Sequence, residues 1–190
     1  MNETRVLTLW NDGVVNEDDA AVLRRRCEEL PIPFDAAARE AVRALREAFL
    51  GRDDASGLAA PQIGISKRII AFRNRGFTSD GAVDGTWSKK DVEILVNPRI
   101  TQTRGDLVVL SEGCLSCPDV RVQIARFPEI KVRGYDMFGQ KVSRRYFDYV
   151  ARIVQHEMDH LDGKLIVDYE GAVLVPKKKR NLFESLLART

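Results

Sequence analysis

The 190-residue sequence is poor in histidine, holding only His156 and His160. A site built on three imidazoles is therefore excluded. Cysteine is almost as sparse, with Cys27, Cys114 and Cys117. So small and odd a number is not a disulfide framework, and such thiols serve as metal ligands, nucleophiles or core residues. No stretch approaches the roughly 20 apolar residues of a membrane span. Met1–Trp10 lacks the apolar centre of a secretory signal. An excess of one charge is missing too, since 30 basic residues face 28 acidic ones for a net +2. That balance excludes a wholesale nucleic-acid or membrane binder and leaves room for a local basic patch. Repeats, heptads and low-complexity tracts are absent. The composition is that of a soluble cytoplasmic protein.

What is present reads as alternating short elements. Asp35 can cap a helix whose apolar positions Ala38, Val42, Leu45 and Phe49 recur at helical spacing, with Gly51 placed to end it. A more charged helix is expected over Asp18–Leu30, stopped by Pro31 and Pro33. Gly57–Gly64 is rich in small and turn-forming residues, and Ile69–Phe72 reads as a strand. Asn74–Lys90 has three glycines and little apolar content, so it is expected as a surface excursion, either a plain loop or a substrate gate. Further strands are expected at Ile94–Val96, near Leu107–Leu110, at Ile130–Arg133 and at Lys141–Phe147, the last two joined by a turn at Asp136–Gly139. Asp148 can cap a second helix, Tyr149–Asp162, that Gly163 ends, and a short amphipathic helix follows at Leu182–Leu187. The pattern is α+β in a single domain over 1–190. Short, mostly antiparallel strands pack around a central helix, with helices at both ends and the basic C-terminal one over 177–190.

His156-Glu157-Met158-Asp159-His160 is an H-E-x-x-H sequence inside an expected helix. Residues four apart share one helix face, so both imidazoles can reach one ion while Glu157 stands beside it. Two imidazoles leave at least one protein ligand to find. Asp168 and Glu170 lie only a few residues past the helix. Cys114 is the stronger candidate, a thiol preceded by Gly113 that a cation would deprotonate. Such a set leaves a fourth position open. If Cys117 joins instead, the set closes into a structural Cys2His2 zinc site, although the run from Cys117 to His156 far exceeds the roughly 12–15 residues of a zinc finger. Cys27, on an expected helix, reads as a core residue.

Three segments together resemble peptide deformylase: Ala55–Gly64 (ASGLAAPQIG), Glu112–Ser116 (EGCLS) and Gln155–Gly163 (QHEMDHLDG), matching the family's GxGLAAxQxG, EGCLS and QHExDHLxG in order and spacing. The resemblance implies a mononuclear metallohydrolase that removes the formyl group from nascent peptides beginning with formyl-methionine. It implies Cys114, His156 and His160 as ligands and Glu157 as general acid/base, taking a proton from the attacking water and returning it to the leaving amine. Gln62 and the backbone N–H of Leu115 would polarise the formyl oxygen. Gly57, Leu58, Gly64, Glu112 and Gly113 would border the peptide, and Ile153, one turn before His156, would line a pocket for the methionine side chain. The metal would be one divalent ion, ferrous iron natively, with zinc, nickel or cobalt able to take its place.

Three features depart from that pattern. Ala55 replaces the first glycine of the loop motif, Cys117 stands where an aliphatic residue is usual, and the early Pro-Asp-Pro-x-Leu-Arg element is unrecognisable. Along the metal helix, Arg152, Gln155, Asp159 and Asp162 form a polar stripe, either solvated and structural or supporting the ligands. The basic run Lys177–Arg180 is a solvated helix start or a contact for ribosomal RNA. Oligomeric state is not legible.

Overall fold

The structure is a computed structural model that describes residues 4–83 and 88–187. After a two-stranded ribbon, β1 (Trp10–Asn11) and β2 (Val14–Val15), come helices α1 (Glu17–Leu23) and α2 (Ala36–Leu50). The strands β3 (Gly57–Ala59), β4 (Ile69–Arg73), β5 (Val92–Arg104), β6 (Val108–Cys114), β7 (Cys117–Arg126), β8 (Glu129–Tyr135) and β9 (Lys141–Phe147) follow. Then come α3 (Asp148–Leu161), β10 (Val173–Leu174) and α4 (Arg180–Leu187). One antiparallel sheet has the order β3-β4-β5-β8-β9, and a second has β10-β7-β6. The expected α+β class with antiparallel strands around a central helix is what folds.

The apolar periodicity of α2 becomes its packing face. Ala38, Val42, Leu45, Ala48 and Phe49 are buried against Leu58, Ile69, Ala71 and Ile94. Asp35 caps it, its carboxylate accepting from Ala38 N at 2.7 Å. On the other side of β4 and β8, the helix α3 sends Ala151, Val154, Met158 and Leu161 into a core with Phe72, Ile130 and Val132. Strand β7 buries Val120, Val122 and Ile124 against Trp10, Leu23 and Leu165. The helix α3 thus crosses between the two sheets, which is what lets residues of β3 and β6 reach it.

Four local expectations need correction. Helix α1 stops at Leu23 and does not continue to Leu30, because tertiary bonds claim its continuation: Cys27 N donates to Leu161 O at 2.8 Å and Arg68 N to Glu28 O at 2.9 Å. Asp148 does not cap α3 with its side chain. Its φ is 48° and its N–H closes onto Pro128 O at 2.7 Å, so β9 runs straight into the helix. The strand β7, unforeseen in the sequence, pairs along its length with β6. The strand β5 is far longer than Ile94–Val96, carried across Pro98 by a register shift. Of the excursion at 74–90, residues 84–87 lie outside those described. Phe77 packs its ring 5.2 Å from that of Tyr149. The C-terminal helix is described over Arg180–Leu187; 188–190 lie outside the described residues. Cys27 is a buried core thiol, its pKa pushed up to about 11 by burial. Among the described residues no helix is long and apolar enough to cross a membrane.

Candidate active site

Cys114 ends β6 and faces Cys117 in the register of the β6–β7 hairpin, whose tip is Leu115-Ser116. His156 and His160 lie one turn apart on α3, their ring centroids 5.1 Å apart. The hairpin tip approaches that helix face, and Cys114 Sγ sits 3.3 Å from His160 Nε2. One ligand atom each from Cys114, His156 and His160 fall within 4.8 Å of one another. Cys117 is not in that group; it is fully buried beside Leu9, Trp10 and Val122. The closed four-ligand arrangement is therefore not what the side chains form. Asp168 is occupied elsewhere, accepting from Arg24 at 2.9 Å and from Leu165 N at 2.7 Å.

The electrostatics prepare a cation site. A hydrogen bond from Cys117, with the nearby imidazoles, holds the Cys114 thiol well below its ordinary value against the opposing effect of burial. Cys117 moves the other way, held protonated by that same bond and by burial. His156 Nδ1 is tied to Glu112 Oε2 at 2.9 Å, which leaves Nε2 to face the ligand group. This donor set fits one divalent ion: a thiolate and two imidazoles, one of them already oriented.

Glu112 is the hub of the supporting shell. It receives a two-pronged bond from Arg126 (2.9 and 2.9 Å), a third from Arg152 (2.6 Å) and the imidazole of His156. Burial would raise its pKa, yet the Arg126 and His156 hydrogen bonds outweigh that and keep it well below the usual carboxylate range. Arg126 in turn donates to Asp159 at 2.7 Å and to the Tyr169 hydroxyl at 2.9 Å, and that hydroxyl donates to Asp159 at 2.7 Å. Of the polar stripe, Arg152 and Asp159 belong to this network, whereas Gln155 clamps the Phe127 backbone through both N–H and carbonyl and the exposed Asp162 pairs with Arg68 at 2.7 Å. A buried network of this kind is safe only when complete, since removing one partner strands a charge.

Glu157 is 4% exposed, and its Oε2 has no hydrogen-bond partner. Burial pushes its pKa up to about 7, with the two imidazoles pulling in the opposite direction. Gly57 lies against it. A Cβ at Gly57 would stand 2.4 Å from Glu157 Oε1, so only glycine leaves the carboxylate its place. Gln62 is buried, its Oε1 accepting from Ala59 N at 2.8 Å while Nε2 donates to Ser116 Oγ at 3.1 Å and points to Cys114 Sγ at 3.9 Å. These groups line a cleft of about 490 Å³ together with Leu115, Gly113 and Ile153.

Two of the expected substrate positions fall outside the cleft, and a third lines it but is already engaged. Leu58 is fully buried in the core beneath α2, because its place in the β3 alternation points it away from the cleft. Gly64, at φ +82°, ends a short 3-10 turn outside the cleft lining and serves the chain reversal. Glu112 reaches the cleft but is consumed by arginines and His156, so it orients a ligand and has little left for a peptide. Ala55 is buried in the core and is not among the residues with positive φ, so the missing glycine brings no strain there. Sequence reasoning missed Arg126, Ser116 and Tyr169. A signal existed for Arg126, the charged end of the inward series Val120, Val122, Ile124 on β7.

An α+β fold with a Cys-His-His group beside a buried, unpartnered glutamate has the build of a mononuclear metal-dependent hydrolase. The comparisons narrow this further. The polypeptide deformylase family model matches residues 13–179. A peptide deformylase 1 of Rickettsia conorii is 39% identical over 119 residues, 62% of this chain and 65% of that relative's length. A peptide deformylase of Desulforudis audaxviator is 39% identical over 67% of this chain and 73% of its own. The solved Met-Ala-Ser-bound class I type b deformylase of Acinetobacter baumannii superposes with a TM-score of 0.68 at 29% identity, covering 86% of this chain and 95% of that one. The chain belongs to the polypeptide deformylase family.

Proposed function

We propose that this protein removes the formyl group from peptides beginning with formyl-methionine, releasing formate and a free amine. The observation that carries the reading is Glu157: a buried carboxylate with an unpartnered oxygen beside a Cys-His-His ligand group, at the end of a peptide-sized cleft. Cys114, His156 and His160 would hold one divalent ion, ferrous iron natively, which supplies Lewis acidity when bound. Glu157 takes the proton of the attacking water and delivers it to the leaving nitrogen, two transfers that a buried carboxylate with an unpartnered oxygen can make in turn. Gln62 Nε2, steered by the Ala59 and Ser116 bonds, and the N–H of Leu115 stabilise charge on the formyl oxygen. Burial of Glu157 excludes solvent from the reacting pair.

The peptide has a place to lie. Strand β3 is the edge of its sheet, and Ser56 and Gly57 border the cleft, so an extended backbone can pair along it while its first side chain faces Ile153. The Met-Ala-Ser tripeptide bound by the Acinetobacter relative has the matching chemistry. The exposed basic run 177–180 is our candidate for contact with ribosomal RNA, where nascent chains emerge in the cytoplasm. Unchanged ribosome binding after glutamine replaces all four residues would remove that contact. The test of the activity is anaerobic purification, metal analysis and formate release from formyl-Met-Ala-Ser against its acetyl counterpart. Release from the formyl peptide alone, with about one metal per chain, supports the reading; no release from metal-replete protein overturns it.

A further inference from the structure

Arg152 is the one described side chain that lines both the catalytic cleft and a second cavity of about 230 Å³ behind it. Tyr149, Arg152, Ile153, His156 and Glu157 follow one another at helical spacing on the cleft side of α3. A first residue whose formyl carbon stands at Glu157 therefore runs its side chain back along Ile153, toward Arg152. Beyond Arg152 the rear cavity is walled mainly by apolar groups, Val108, Leu110, Phe127 and Pro128.

The partition is rigid. The side chain of Arg152 is 5% exposed. Its Nη1 donates to Glu112 Oε1 at 2.6 Å and to Ile124 O at 2.9 Å, and its Nη2 donates to Val108 O. These bonds tie the guanidinium to β6 and β7 at once. Swinging it aside would leave a buried charge without its partners. A surface arginine could yield to a longer substrate; this one is held in place.

We propose that Arg152 is the specificity-determining residue that sets the depth of the first side-chain pocket. Its guanidinium closes the pocket floor against the rear cavity, admits an unbranched side chain of methionine length and rejects longer ones. This rests on the deformylase reading of the same site. Each further methylene that finds apolar room is worth roughly fourfold in kcat/KM, so opening the partition produces a measurable shift of preference toward length.

The experiment compares kcat/KM of the metal-loaded full chain for formyl-X-Ala-Ser peptides in which X is norvaline, methionine, 2-aminoheptanoate, 2-aminooctanoate or 2-aminodecanoate. The wild type rises to methionine and falls at least tenfold at 2-aminooctanoate. Arg152→Ala lowers all rates, since Glu112 loses a partner, but moves the optimum to 2-aminooctanoate or beyond. A purely structural role would depress every substrate equally, and that result overturns the proposal, as does a wild type indifferent to length. Should Arg152→Ala fail to fold, Arg152→Lys decides: it keeps a charge for Glu112 and vacates guanidinium volume, so the optimum must lengthen by about one methylene. An unchanged optimum in that variant overturns the proposal. Absence of formate from every peptide would count against the deformylase reading, whereas formate released without a length effect counts against Arg152.

Discussion

The helices α2 and α3 are nearly equal in length and both amphipathic, yet they spend burial differently. The buried residues of α2 are alanine, valine, leucine and phenylalanine, with nothing polar among them. Helix α3 buries Arg152, Gln155, Glu157 and His160 alongside its apolar residues. An apolar helix face needs only a surface of the right shape, and its stabilisation scales with area. A helix with buried charge needs partners supplied from elsewhere at fixed distances, here Glu112 and Arg126 on the β6–β7 hairpin. Stability is concentrated on the first helix and chemistry on the second.

Substitutions can break or sharpen that contrast. The largest effect is expected on α3 itself. His160→Ala removes one of three ligands and should abolish both stoichiometric metal and formate release, checked by metal analysis and assay of the same sample. Gly57→Ala forces a methyl group into the Glu157 carboxylate and should lower kcat on the order of 100-fold while metal content stays near one per chain. Retention of the wild-type kcat would mean that Glu157 has room to move without consequence. Glu112→Gln keeps the shape but releases His156 and strands two arginines. Metal affinity should fall about 10–100-fold by competition with a chelator, and thermal stability should fall with it. On α2 the order reverses. Leu45→Ala should cost about 2–5 kcal/mol in denaturant unfolding and leave kcat of the folded enzyme unchanged. A kcat loss from Leu45→Ala, or a large stability loss with full activity from Gly57→Ala, would erase the distinction between the two helices.

What the sequence disclosed follows the same division. Features with a local period were legible: the apolar stripe of α2 with its Asp35 cap, the ligand pair on α3, and the strand at Lys141–Phe147. Features decided by distant contacts were not. Helix α1 ends early because Leu161 and Arg68 claim its backbone, partners that no local pattern announces. Arg126 sits 14 residues from Glu112 and 33 from Asp159, and nothing in its neighbourhood names either. Leu58 lies within a matching motif, yet strand alternation turns its side chain into the core. Cys117 looked like a competing ligand by spacing, and its packing among apolar residues made it a hydrogen-bond donor to Cys114 instead.

In this site Glu157 is assigned the proton and not the metal. The direct test of that assignment is Glu157→Gln, an isosteric change, with metal content and formate release from formyl-Met-Ala-Ser measured on one preparation beside the wild type. The expected result is an unchanged metal stoichiometry and a rate lowered by roughly 100- to 10,000-fold, the range for loss of a general acid/base. A metal-replete variant that releases formate at the wild-type rate would contradict it.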